Sequence, residues 1–216
     1  MLLAAAVAYH RRLVHFLWPN RCFDTRHFLI GILTVVGLSV LTVPLYLLMG
    51  DPLAPPVLSA TYRDDTRLVY SGAAILGFLV AAAAEEVVFR GVLLRILGAV
   101  ARRPILLCIV NGILFSAFHL DPDPIAFIAR ALSGAVWTWA ALRLGGIEFA
   151  TGAHFAGNLM ISLLWALPSE DDPTWTAPIG YLVPELIVAI GTVIVVERLA
   201  RGPGIRHEPA ERSMAP

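Results

Sequence analysis

Apolar residues along this chain gather in long uninterrupted blocks, with no alternation of the strand kind and no narrow amphipathic stripe. Six blocks stand out, at roughly 28–49, 68–89, 104–119, 124–143, 148–167 and 178–199. A helix rises 1.5 Å per residue, so about 20 apolar residues cross the hydrocarbon of a bilayer. The third block is short, and the second runs on into a mixed stretch from Gly91 to Val100. Proline or glycine punctuates the joints at Pro52, Pro55, Pro56, Pro104, Pro122, Pro124, Gly145, Gly146, Pro173 and Pro178. The pattern predicts an all-α polytopic transmembrane helical bundle of about six spans.

Composition agrees. Hydrophobic residues make up 58% of 216 residues, well above the share in ordinary soluble domains. Sixteen basic residues balance sixteen acidic ones, so no net field invites nucleic acid; all the basic residues are Arg. Cys22 and Cys108 are far apart and form neither a disulfide framework nor a metal-binding spacing. The apolar start, Met1 to Ala8, precedes Arg11 and Arg12, the reverse of a secretory signal, and is expected to be a short helix at the membrane surface.

Arginine placement sets an expected orientation. Arg11, Arg12, Arg21 and Arg26 flank the first span; Arg95, Arg102 and Arg103 mark the second connection, Arg143 the fourth, and Arg198, Arg201, Arg206 and Arg212 the tail. The intervening connections carry mainly acidic residues, among them Asp121, Asp123, Glu170, Asp171 and Asp172. The positive-inside rule then puts both termini in the cytoplasm of a multi-pass protein of the cell (plasma) membrane. The expected division is an N-terminal cytoplasmic or interfacial segment at 1–27, a helical domain at 28–200 and a disordered tail at 201–216, rich in Arg, Pro, Gly and Glu.

Ionisable groups inside a membrane are costly unless paired or hydrated, so each is a functional candidate. Glu85, Glu86 and Arg90 follow seventeen residues without a charge. Glu86 and Arg90 are four apart and share a helix face, which suits an ion pair. Glu85 points about 100° away, without that counter-charge, as suits a general base. His119 closes the third span; if spans two and three turn at Arg102, Glu85 and His119 are each seventeen residues from the turn and lie at one depth. His154 and Asn158 share a face of the fifth span and can together hold an oxyanion, or His154 can bind a metal. The depths conflict in one respect: His154 is roughly 12 Å from the Gly145–Gly146 turn and His119 roughly 25 Å from Arg102. They agree only if the hairpin at Arg102 extends beyond the other turn.

Glu85-Glu86-x-x-x-Arg90, Phe115-x-x-x-His119 and His154-x-x-x-Asn158, in this order on successive spans, resemble the CPBP intramembrane proteases. That family includes type II CAAX prenyl endopeptidases and bacterial proteins linked to bacteriocin maturation and immunity. The resemblance implies a protease core at about 68–167. In it Glu85 activates water with help from His119, His154 and Asn158 stabilise the tetrahedral intermediate, and Glu86 with Arg90 positions Glu85. It leaves open a divalent metal such as zinc held by Glu85, His119 and His154, and equally a metal-free glutamate mechanism. The implied partners are membrane lipid and a membrane-associated or lipid-modified peptide, with no nucleic acid. Arg130 departs from the family pattern; matching depths suggest that it pairs with Glu185 and locks spans four and six. Two other readings compete: a non-enzymatic immunity or scaffold protein that binds a peptide or partner, and a small transporter, against which stands the lack of an inverted repeat.

Overall fold

The structure, a computed structural model, describes residues 23–51, 55–58, 63–164 and 177–202. The expected surface helix before residue 23 and the expected tail beyond residue 202 lie outside these residues. The described residues form an all-α bundle, the class expected. Helix α1 is Thr25–Leu48. Helix α2, Asp64–Glu86, continues through a π-helical segment, Val87–Leu93, into α3, Leu94–Val100. Then follow α4 (Pro104–Ala117), α5 (Pro124–Leu144), α6 (Glu148–Leu164) and α7 (Leu182–Ala200).

Four of these helical stretches are long and apolar enough to cross a membrane: Thr25–Leu48, Asp64–Val100, Pro124–Leu144 and Ile179–Ala200. The chain is a membrane protein. Six full crossings were expected; α4, with 14 residues, and α6, with 17, are shorter than the four. The continuous stretch Asp64–Val100 has 37 residues. That is roughly 55 Å of helix, far beyond a hydrocarbon core of about 30 Å. The excess leaves length for the hairpin at Arg102 to extend beyond the other turn, the arrangement that lets His119 and His154 lie at one depth.

Local chemistry fixes the ends. Asp24 caps α1 through the Arg26 and His27 N–H groups, and Asp123 caps α5 through the N–H of Ile125. Pro104 and Pro124 sit in the first turns of α4 and α5, where the missing N–H costs nothing. Gly145, at φ 72°, ends α5 in the left-handed conformation that glycine adopts freely.

Two close helix crossings carry the bundle. On α1 and α6, a methyl added to Gly31 would fall on the Phe149 carbonyl, and one added to Gly152 on the Phe28 carbonyl. On α4 and α5, Gly112 meets the Ala131 carbonyl and Gly134 meets the Phe115 ring. Lipid offers little hydrophobic drive between helices, so backbone approach of this kind supplies the packing. The small residues of α6, Gly152, Ala153 and Ala156, are buried accordingly. Helix α2 packs chiefly along α6, tied by the Tyr70 hydroxyl 2.6 Å from Ser162 Oγ. Elsewhere Arg143 makes a two-pronged pair with Glu197, at 2.7 and 2.9 Å, joining α5 to α7.

The proposed Arg130–Glu185 lock is not formed. Arg130 pairs with Asp121, at the end of the loop before α5, and Glu185 accepts from the Tyr46 hydroxyl at 3.4 Å. Equal depth leaves azimuth free, and the nearer carboxylate takes the guanidinium. Helices α5 and α7 do pack together, through Arg143 and Trp139 on Glu197.

Candidate active site

Glu86 and Arg90 form the ion pair their spacing predicts, with Nη1 donating to Oε1 at 2.8 Å and both side chains wholly buried. The pair straddles the start of the π segment. Such i→i+5 segments are rare and cluster at functional sites because they leave carbonyls to be satisfied from outside the helix. Here Asn111, fully buried on α4, donates its amide to the Phe89 carbonyl at 2.9 Å. The wide turn also turns Phe89, Arg90, Gly91 and Val92 inward together.

Arg90 reaches across to α5, where Nη2 donates to the Gly134 carbonyl at 2.8 Å. That same oxygen accepts from Thr138 Oγ1 at 2.8 Å. Aromatic rings surround the guanidinium: Phe115 at 4.7 Å, Trp137 at 5.5 Å and Phe89 at 5.9 Å from ring centroids. Their π faces and edges replace water around the cation.

His154 joins this group from α6. Its Nδ1 donates to Glu86 Oε1 at 3.0 Å, and its Nε2 lies 3.8 Å from Glu85 Oε2. A carboxylate oxygen only accepts, so the bond to Glu86 puts the ring hydrogen on Nδ1 and directs Nε2 toward Glu85. The indole of Trp137 stacks on the imidazole, centroids 4.4 Å apart and planes 22° off parallel, while Phe115 meets it edge-on at 5.5 Å. Glu85 is the exposed member, with 35% of its side chain accessible against 3% for His154. Glu85 Oε2 and Glu86 Oε2 are both buried oxygens with no hydrogen-bond partner among the described residues.

His119 stands just past the end of α4, not within a span, and is exposed. Its Nδ1 donates to the Phe115 carbonyl at 2.9 Å, and its ring lies 4.9 Å from the Phe115 ring. Phe115 thus carries both imidazoles, whose centroids are no farther apart than the sum of 4.9 and 5.5 Å. Leu120, next in the chain, has φ 54°, a conformation that is strained for a residue with a side chain. Asn158 sits one turn beyond His154 on α6, half-buried, and makes no side-chain hydrogen bond among the described residues.

Glu85, Glu86, Arg90 and His154 are therefore brought into contact, His119 lies one ring away, and Asn158 follows on the His154 helix. The imidazole that meets Glu85 is His154. The pairing expected from equal depth was with His119. No group of three His, Cys, Asp or Glu side chains among the described residues could hold a metal ion. Glu86 takes Nδ1 of His154 and the Phe115 carbonyl takes Nδ1 of His119, which leaves Nε2 of each ring as the nitrogen open to a ligand. Two residues of the site went unread in the sequence. Asn111 was legible as a lone amide in the apolar run 104–115, whereas Trp137 carried no signal among the other aromatic residues of the spans.

Comparison with known proteins follows the same stretch of chain. Residues 68–160 match the model of a family described as type II CAAX prenyl endopeptidase Rce1-like, and all six site residues fall within the match. A relative from Bacillus subtilis (strain 168), the uncharacterized protein YyaK, is 32% identical over 97 residues, covering 42% of this chain. The chain spans only 32% of that protein's length. No solved structure matches the chain significantly. Residues 68–160, the part that holds the buried Glu-Arg-His cluster, are thus similar to the Rce1-like family of type II CAAX prenyl endopeptidases over a little under half of the chain.

Proposed function

We propose that the protein is an intramembrane endopeptidase that hydrolyses a peptide bond in a membrane-associated or lipid-modified peptide, with Glu85 as general base. The observation that carries this reading is the imidazole of His154 held between two carboxylates, its Nε2 3.8 Å from a buried oxygen of Glu85 that has no hydrogen-bond partner among the described residues. That separation exceeds a direct hydrogen bond and fits an oxygen atom shared between the two. A substrate water there donates one hydrogen to Glu85 and the other to His154.

Glu85 takes a proton as the water oxygen bonds to the carbonyl carbon, and the carbonyl electron pair moves onto its oxygen. The amide of Asn158, which makes no side-chain hydrogen bond among the described residues, donates to the developing oxyanion. Collapse of the intermediate breaks the C–N bond, and the departing amine takes the proton that Glu85 received from the water. Glu86 and Arg90 hold His154 in its tautomer and touch no substrate.

The positive-inside pattern supports a plasma-membrane protein with both termini in the cytoplasm, and the substrate is then a tail or leader peptide at that membrane. The test uses the full chain in detergent or liposomes, cleaving labelled membrane-anchored peptides. Glu85→Gln is expected to cut turnover by roughly 10²-fold or more, with the thermal melting point close to wild type. Full turnover in that variant refutes the assignment.

A further inference from the structure

We infer that Trp137 is a positioning residue for this reaction, setting the plane of His154 and so preserving the Nδ1–H tautomer that Glu86 selects, and this rests on the proposed protease reading. His154 is held at three sides. Glu86 fixes Nδ1, the Phe115 edge bounds the ring at 5.5 Å, and Trp137 covers one face at 4.4 Å and 22°. A single hydrogen bond at Nδ1 leaves the imidazole free to rock about that bond and to swing Nε2 away from Glu85. A face-on indole removes that freedom because tilting either ring costs overlap.

Trp137 also lies 5.5 Å from the Arg90 guanidinium, so one indole spans the cation and the imidazole on either side of Glu86. Its placement is itself determined. Trp137 is one turn from Gly134, whose carbonyl binds Arg90 and whose missing side chain admits Phe115. The flanking Val136 and Thr138 are buried, which orients this turn of α5. The Nε2–Glu85 distance at which water would be shared is thus fixed by an aromatic residue that touches neither water nor substrate.

Three substitutions separate flatness from bulk: Trp137→Phe keeps a planar ring, while Trp137→Met and Trp137→Leu fill space without one. Trp137→Phe is expected to keep turnover within a few-fold. The aliphatic variants should lose roughly 10- to 100-fold in kcat with KM unchanged, the size of effect that misplacing a catalytic group produces. A second readout does not depend on activity. In protein carrying [15N]histidine, long-range proton–nitrogen spectra report the tautomer of each of the six histidines, with His154 assigned by its loss in His154→Gln. The Nδ1–H form should persist in Trp137→Phe and give way to a tautomer mixture in the aliphatic variants. Aliphatic variants with wild-type kcat and an unchanged tautomer overturn the inference. An inactive wild type in which the tautomer still follows the ring at 137 upholds it and removes the protease reading alone. Should neither aliphatic variant fold, Trp137→Phe decides: folded protein that has lost the Nδ1–H form refutes the role.

Discussion

Removing Arg90 tests whether Glu86 is a charge that the fold tolerates only in company. In Arg90→Met the side chain remains long and apolar, so packing among Phe115, Trp137 and Phe89 is largely kept. The Gly134 carbonyl loses one donor but retains Thr138 Oγ1, so it is not orphaned. The loss therefore concentrates on Glu86, whose side chain is wholly buried and whose Oε2 already lacks a partner. Breaking a buried ion pair by taking away one member costs about 3–5 kcal/mol. For a chain of this size that corresponds to a fall in melting point of roughly 6–20 °C. The double variant Glu86→Gln/Arg90→Met removes both charges and leaves an amide oxygen for His154 Nδ1, so it should recover most of that loss. The assay is thermal unfolding of each variant in one detergent, followed by circular dichroism. An Arg90→Met protein that melts within about 2 °C of wild type would contradict the reasoning, as would a double variant no better than the single one.

Three further outcomes follow from the structure. Asp123 lies outside the spans; desolvation opposes its ionisation, but the N–H groups of Ala177, Ile125 and Ala126, with Arg130 nearby, hold its carboxyl below the usual range. Its contribution to stability is full above the unfolded value of about 3.9 and is lost as pH falls through the lower folded value. The melting-point gap between wild type and Asp123→Asn should accordingly narrow on titration from about pH 6 to about pH 3, and a constant gap counts against the assignment. Gly152→Ala forces α1 and α6 apart at the Phe28 carbonyl and should cost about 1–3 kcal/mol. Gly72→Ala, with nothing within 4 Å, should be neutral or slightly stabilising in the same melting assay.

Much of this architecture was legible as hydrophobic length. Spans read from the apolar blocks fall within a few residues of the helices, because a bilayer imposes one period-free requirement that composition alone can meet. Glu86 with Arg90 was legible too, since four residues on a helix is a fixed geometric relation. What could not be read was azimuth. The run Val87-Val88-Phe89-Arg90-Gly91 does not announce that the backbone widens to a π turn, and that turn decides which carboxylate and which imidazole meet. Glu85 was therefore matched by depth to His119, while the contact is with His154. Arg130 failed for the same reason: its depth agreed with Glu185, but Asp121 was the neighbour. Trp137 is a tertiary fact, set by the glycine contact between α4 and α5.

Helix α4 has 14 residues and presents Ile105, Leu106, Ile109 and Ile113 outward. It is roughly 21 Å long against a hydrocarbon thickness of about 30 Å. Acyl chains packed against so short a helix would accommodate it by thinning, which would bring headgroups and their hydration toward His119 at its end. Turnover in liposomes is accordingly expected to vary with acyl-chain length, because the exposed His119 end of the cluster lies nearer the headgroups in a thinner bilayer.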